Sequence, residues 1–250
     1  MKKTKILKIE KYKSSSKRYD ISVEDNNNFF ANDILVHNCE NLISKYHIMR
    51  QFRYYKTEKL EGTSVTVYLK DGIFGVTGRT IEFKVPEPDT NINELNVYWK
   101  MAKKLDLENK MRNADKKFGV LNFALQGEII GESIQGNIYK LKGQEIRFYN
   151  AWNIDKQGYL EYSDFINLIN ELGLDTVPIL DDNYKLPENS QELLLDADKT
   201  TTVVGNNPKQ LIEGFVYIAK EKIPNGTRVT RANFNRLSFK AKSRVYDERK

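Results

Sequence analysis

Lys59-Leu60-Glu61-Gly62 is a stretch of this sequence that has the means to do covalent chemistry. A lysine amine attacks phosphorus only after losing its proton, and burial or a neighbouring cation lowers its pKa toward that state. Taken alone the pattern is weak, because a lysine in a surface turn looks the same. Residues further along add weight to it, since their side chains suit a nucleotide site: Arg79, Glu128, Phe148, Glu213, Lys240 and Lys242.

The lysines and acids of this set are suited to different tasks. Lys240 and Lys242 alternate along a predicted strand, so both side chains lie on one face and can neutralise phosphate charge. Glu213 and Glu128 supply oxygen atoms that can hold a divalent ion or ribose hydroxyls. The sequence has no GxxxxGK[ST] loop for cradling phosphates, which fits covalent lysine chemistry.

A second reactive group, His37-Asn38-Cys39, ends a short β-rich stretch. Cys39 is the only cysteine, which excludes an internal disulfide and a multi-cysteine zinc site. A reducing, cytoplasmic setting follows as the default. Taken alone, the three residues are best explained as a chance tripeptide at the end of a strand.

Composition restricts the classes of protein to which the chain can belong. Its 250 residues have room for one large domain or two smaller ones. A net charge of +6 favours a polyanionic partner such as nucleic acid, although a solvated basic surface explains it equally well. No apolar run reaches the length of a membrane span, and the lysine-rich start lacks the apolar segment of a signal peptide.

Hydrophobic periodicity and turn residues predict an α+β protein with a mostly antiparallel β core. Hairpins are predicted around Asn32-Asp33 and Asp71-Gly72. Residues 39–55 are predicted to be a partly helical connector. Further strands are predicted at 5–9, 19–23, 121–129, 146–154, 213–219 and 237–242, and helices within 92–112, 163–172 and 188–198. Residues 153–164 partly mimic a calcium loop, but a strand precedes them, so they are predicted to form a strand and turn.

The ordered set that starts at Lys59 resembles the covalent nucleotidyltransferase superfamily of RNA ligases, DNA ligases and mRNA capping enzymes. The resemblance spans about residues 55–245, and EKLEGTSVTVYL with LQGEIIGESIQGN is most similar to ATP-dependent RNA ligases whose OB domain precedes the nucleotidyltransferase domain. It implies that residues 56–250 form an adenylation domain of α+β, ATP-grasp-like ligase type. It also implies ATP, Mg²⁺ or Mn²⁺, and nicked or broken RNA as ligands.

The resemblance also implies a role for each residue of the set. Lys59 would attack the α-phosphate of ATP and hold AMP, while Lys240 and Lys242 would stabilise the transition state. Lys242 would also help to lower the pKa of Lys59. Glu128 would bind ribose or metal, and Glu213 would bind metal. The remaining nucleotide contacts implied are Glu58, Glu61, Arg79 and, stacked on adenine, Phe148.

Two features of the sequence bear on the choice within the superfamily. Glu61 stands where many relatives have aspartate, so its carboxylate has a longer reach. The sequence ends eight residues after Lys242, with no OB domain following, which is expected of the RNA ligase branch. The alternatives are a non-catalytic RNA-end binding module, a DNA ligase and a GTP-using capping enzyme.

The front of the chain, RYDISVEDNNNFFANDILVHNC, resembles the C-terminal end of an intein, which implies a small all-β Hint-fold fragment at residues 1–38. In that family Cys39 would accept an upstream protein segment as a thioester, and Asn38 would cyclise to cut the chain. His37 would assist the cyclisation, and Asp20 would couple the steps. Asn27 stands where many inteins have histidine.

Since the sequence holds only this C-terminal half, the resemblance implies a separate partner. The partner would carry the complementary N-terminal intein fragment behind an upstream ligase segment, expected to be the OB domain. Trans-splicing at Cys39 would then complete the ligase. Lysines at positions 2, 3, 5, 8 and 11 suggest an acidic partner fragment, or simply a solvated basic end.

Overall fold

The computed structural model describes residues 28–31, 34–37, 45–118, 122–221 and 236–247. The chain divides into two units, residues 1–45 and 46–250. In the first unit, β1 (Asn28–Ala31) and β2 (Ile34–His37) pair antiparallel, with Ala31 opposite Ile34. This confirms the predicted hairpin. The strands predicted at 5–9 and 19–23, together with Asp20, Asn38 and Cys39, lie outside the described residues.

The second unit holds the other strands and helices. Its strands are β3 (Arg53–Lys59), β4 (Thr63–Lys70), β5 (Ile73–Thr77), β6 (Phe123–Gly131), β7 (Gln144–Asn153), β8 (Gly158–Tyr159), β9 (Ile179–Lys185), β10 (Gly214–Ala219) and β11 (Ser238–Lys242). Its helices are α1 (Tyr46–Met49), α2 (Val97–Lys104), α3 (Leu107–Phe118), α4 (Tyr162–Glu171), α5 (Gln191–Lys199) and α6 (Arg244–Asp247).

The strands of the second unit form two sheets. One has the order β11-β10-β3-β9 and the other β5-β4-β6-β7-β8, and every pair of neighbouring strands is antiparallel. Alternating residues of β4 and β6, such as Val65, Val67 and Leu125, are fully buried and share one core with α3 and α4. The predicted α+β architecture with antiparallel sheets is therefore confirmed for this unit.

Three elements differ from the sequence prediction. The connector was predicted to reach residue 55, but β3 already begins at Arg53. The single helix predicted within 92–112 is two helices, because Asp106 has a φ of 51° and interrupts the helical backbone between α2 and α3. The strand β9 was not predicted, since its polar, exposed residues lack the usual alternation. Residues 153–164 form the predicted strand and turn, followed by the start of α4.

Gly131 offers a clean test of how closely β6 approaches the turn before β7. Its φ is +116°, and an added Cβ would lie 2.2 Å from the Gly143 carbonyl oxygen. We expect Gly131→Ala to lower the free energy of unfolding by about 3 kcal/mol, from backbone strain and overpacking together. Gly72→Ala is the matched control, because φ is +77° there but the space is open, and about 1 kcal/mol is expected. Equal losses in urea denaturation would contradict the close approach.

Candidate active site

The register of three neighbouring strands brings the candidate nucleophile and one of the predicted lysines together. Lys59 at the end of β3 lies opposite Gly214 of β10, and Gly214 lies opposite Lys242 of β11. Glu213, directly before β10, therefore lies between the two lysines. Its Oε2 is 2.6 Å from Lys59 Nζ and its Oε1 is 3.7 Å from Lys242 Nζ. One largely buried carboxylate thus binds both ammonium groups.

Glu128 brings a second carboxylate to the same place from the other sheet. It lies on β6 opposite Ser64 of β4, and the Gly62 N–H donates a hydrogen bond to its carboxylate. An added Cβ on Gly62 would lie 2.3 Å from the Ile129 carbonyl oxygen, so only glycine allows this approach. Burial raises the pKa of Glu128 to about 7, while nearby Lys59 lowers it and Glu213 raises it.

The two carboxylates fit a hard divalent cation only in part. Within the described residues no group of three His, Cys, Asp or Glu side chains is placed to hold a metal. Mg²⁺ is commonly held by one or two carboxylates, with substrate phosphates and water completing its shell. Glu213 and Glu128 can supply that share for Mg²⁺ or Mn²⁺ but cannot form a complete protein cage.

A cavity of about 250 Å³ adjoins this cluster. Lys59 and Glu128 line one part of it, and its apolar wall includes Leu60, Val177 and Ile218. The volume is slightly below the range of roughly 300–1,000 Å³ typical of ligand pockets. A mononucleotide is therefore a better match for it than a longer chain, which would have to extend out of the cavity.

Phe148 is not on the wall of this cavity, contrary to the expectation that it stacks on a base. Its side chain has no exposed surface and belongs to the core. The neighbouring Tyr149 lines the cavity instead and hydrogen-bonds to Ser64 through their hydroxyls, 3.2 Å apart. The pairing of β6 with β7 shifts by one residue between Gln126 and Gly127, which leaves Tyr149 as the extra residue. A bulge of this kind has no clear sequence signal.

Glu58 borders the cavity, but its carboxylate is already bound elsewhere. Thr202 Oγ1 donates to one oxygen at 2.6 Å and the Val203 N–H donates to the other at 3.2 Å. The side chain is 1% exposed, and this burial raises its pKa. In a strand, neighbouring side chains point to opposite faces, so Glu58 lies on the other face from Lys59. The Glu58 carboxylate thus holds the 202–203 loop, and its contact with a nucleotide stays a prediction.

The remaining predicted residues lie around the cluster. Glu61 is half-buried, and its backbone N–H donates to the Tyr139 hydroxyl at 2.6 Å. Lys240 is exposed on β11, opposite Val216. Arg79 lies in the exposed loop after β5 and does not line the cavity. The structure thus brings together Lys59, Glu128, Glu213 and Lys242.

The raised pKa of Glu128 predicts a specific dependence of stability on pH. Between pH 4.5, its ordinary pKa, and about 7, the carboxyl ionises in the unfolded chain but stays protonated in the folded one. The folded chain binds more protons in this window, so the free energy of unfolding falls as pH rises through it. Glu128→Gln should flatten this fall, measured by urea denaturation at a series of pH values.

Glu94→Gln, which changes an exposed loop glutamate, is the control for that measurement. Burial raises the pKa of Glu58 as well, so part of the fall should survive in Glu128→Gln. If the pH dependence of the Glu128→Gln chain equals that of the wild type, Glu128 is not buried as described.

Comparisons with known proteins point to one family. The model of the RNA ligase family matches residues 52–242. The structure is similar to that of Naegleria gruberi RNA ligase, solved as a lysine-to-methionine variant with AMP and Mn. The identity is 32%, the TM-score is 0.67, and the match covers 84% of this chain and 55% of that one. A lysine-to-alanine variant of the same ligase with ATP and Mn gives the same values.

A further variant of that ligase, glutamate to alanine with AMP and Mn, is 31% identical over 89% of this chain and 60% of its own, with a TM-score of 0.67. The chain spans about half the length of these relatives. No curated protein sequence matches it. In the described part of the chain, no helix has the length and apolar character needed to span a membrane. With the family model matching most of its length, the chain belongs to the RNA ligase family.

Proposed function

We propose that the second unit is the nucleotidyltransferase part of an ATP-dependent RNA ligase that seals a 5′-phosphate to a 3′-hydroxyl. The observation that carries this proposal is the arrangement of Lys59 and Lys242 on Glu213 beside a nucleotide-sized cavity. The solved relatives with ATP or AMP and Mn support it. The net charge of +6 suits an RNA substrate.

In the first step, Lys59 Nζ attacks the α-phosphorus of ATP. A phosphorus–nitrogen bond forms, the bond from the α-phosphorus to the bridging oxygen breaks, pyrophosphate leaves, and the amine loses its proton to solvent. Lys59 must shed one proton beforehand, because only the neutral amine is a nucleophile. Glu213 holds the Lys59 Nζ atom at 2.6 Å and so positions the amine.

The other residues of the cluster bind and orient. Lys242 and the exposed Lys240 neutralise charge on the phosphates, and Glu213 and Glu128 are the candidate ligands of Mg²⁺ or Mn²⁺. The bound cation would supply positive charge against the triphosphate. Glu61 and Arg79 are proposed to contact the nucleotide or the RNA end. In the later steps AMP moves to the RNA 5′-phosphate and the 3′-hydroxyl then displaces it.

Labelled ATP tests the first step directly. With Mg²⁺ present, the wild-type chain should gain covalent label, whereas Lys59→Arg should gain none. Arginine keeps the ion pair with Glu213 but stays protonated, so it is no nucleophile. Lys56→Arg is the matched control, because Lys56 is on the same strand but pairs with Asp196 instead. Retention of label by Lys59→Arg, or no label on the wild type, would contradict the assignment.

Three alternatives remain candidates for the same site. A DNA ligase or a GTP-using capping enzyme would share the lysine chemistry, and comparing ATP with GTP and nicked RNA with nicked DNA separates them. A non-catalytic module would bind RNA ends without gaining AMP. We place the RNA ligase first because the family match is to RNA ligases.

We further propose that residues 1–38 are the C-terminal fragment of a split intein and that trans-splicing at Cys39 completes the ligase. The hairpin of β1 and β2, with Asn28 opposite His37, is compatible with this proposal. Asn38 would be the last residue removed and Cys39 the first retained. The partner would be an N-terminal intein fragment that carries an upstream ligase segment, proposed to be an OB domain.

Mixing the chain with such a partner tests the splicing proposal. The expected product has a new peptide bond before Cys39 and releases residues 1–38, which mass spectrometry detects. Asn38→Ala should block release of the fragment, because alanine cannot cyclise, while Asn93→Ala in an exposed loop should not. Failure of the wild type to form the junction would overturn splicing and leave the ligase proposal intact.

A further inference from the structure

Arg236 is a half-buried cation beside the cavity, and the Glu161 carboxylate is close enough to favour its charged form. Its Nη1 donates to the Leu160 carbonyl oxygen at 3.3 Å and its Nη2 donates to Asn150 Oδ1. The guanidinium lies over the rings of Tyr159 and Tyr162, 4.5 and 5.9 Å from their centroids. Burial lowers its pKa, which means that the charged form is costly here. A cation held at such a cost is a candidate for a specific task.

The contact with Arg236 fixes the orientation of the Asn150 side chain. A guanidinium has donors and no acceptor, so only the amide oxygen of Asn150 can face it. The Nδ2 group then points away from Arg236 and lies 3.3 Å from Gln126 Oε1, which engages one of its two hydrogens. Asn150 also lines the cavity. The Asn150 amide therefore offers an N–H donor to a ligand. The contact with Arg236 opposes the rotation that would exchange the amide oxygen and nitrogen.

Asn150 is opposite Gln126, two residues along β6 from Glu128, and it contacts Arg236, which comes just before β11. Along β10, Gly214 is opposite Lys59 and Ile218 is opposite Ser238, which lines the cavity two residues after Arg236. At roughly 3.3 Å per residue, these two positions are about 13 Å apart. A nucleotide with its α-phosphate at Lys59 can extend along this span, and Asn150, which contacts Arg236 near Ser238, is then within the part of the cavity open to its base.

We propose that Asn150 and Arg236 select the base of the nucleotide, an inference that rests on the proposed nucleotidyltransferase function. Asn150 donates from Nδ2 to the ring nitrogen N1 of adenine. Guanine carries an N–H at that position, so two donors would face each other there. Arg236 is a positioning residue, which acts by keeping the Asn150 amide in the donating orientation. The same arginine precedes β11, so it also ties the base end of the cavity to the strand that carries Lys242.

The test is the ratio of ATP to GTP affinity, measured by calorimetry in the full chain carrying Lys59→Arg so that no covalent step intervenes. Asn150→Asp is the main variant, because aspartate still accepts from Arg236 but presents only acceptors to the cavity. ATP affinity should fall about tenfold or more, and the ATP-to-GTP ratio should shift toward GTP by at least that factor. Asn93→Asp, with the same charge change in an exposed loop, should leave the ratio unchanged.

Arg236→Met should shift the ratio in the same direction, and Arg236→Lys should restore part of it because lysine can still donate to Asn150 Oδ1. Thermal unfolding checks that each variant folds. If Arg236→Met does not fold, the result for Asn150→Asp decides the matter. The proposal is overturned if the parent chain does not prefer ATP, or if Asn150→Asp weakens both nucleotides equally. If the ratio shifts as expected but the chain with Lys59 intact gains no label from ATP, base selection is sustained and the ligase chemistry is refuted.

Discussion

The carboxylate of Glu213 is the constraint on which the candidate site depends. It accepts from Lys59 at 2.6 Å and lies 3.7 Å from Lys242, so it joins side chains that are far apart in sequence. The arrangement requires the register that places Lys59, Gly214 and Lys242 side by side across three strands. A slip of one residue would turn either lysine to the other face of the sheet. The sheet therefore serves the site chiefly by holding this register.

Further contacts hold that register at the edge of the sheet. Among the strands that the structure describes, β11 pairs only with β10, at one end of the sheet. Asp198 binds Ser243 and Arg244, the residues just after β11. Arg236, just before β11, binds Asn150. The charges at the site are costly to bury, and the pKa of Glu128, raised to about 7, reflects that cost. The surrounding core must offset this cost, which explains why charged groups can persist beside a cavity with an apolar wall.

Sequence reasoning located the features that depend on local pattern. Strand alternation predicted that Lys240 and Lys242 share a face, and turn residues predicted the hairpins at Asn32-Asp33 and Asp71-Gly72, as the pairing confirms. It also predicted the α+β class with antiparallel sheets. The family resemblance identified the set of site residues that starts at Lys59. Such a set can be recognised because it depends on the order and spacing of residues and not on packing.

The features that sequence reasoning missed depend on tertiary contacts. Which of Phe148 and Tyr149 faces the cavity is decided by a one-residue shift between β6 and β7. The destination of the Glu58 carboxylate depends on the 202–203 loop, which is distant in sequence. The Arg236–Asn150 contact joins residues 86 positions apart, and neither residue stands out in the sequence. A pattern of residue types cannot specify such pairs without knowledge of which strands become neighbours.

Peptide mapping of the chain after incubation with ATP and Mg²⁺ tests the central claim most directly. The account predicts one adenylyl group, located by mass spectrometry on Lys59 and lost in acid, as expected for a phosphorus–nitrogen bond. An adenylyl group on another residue, or none on a folded chain that binds ATP, would contradict the claim that Lys59 is the nucleophile.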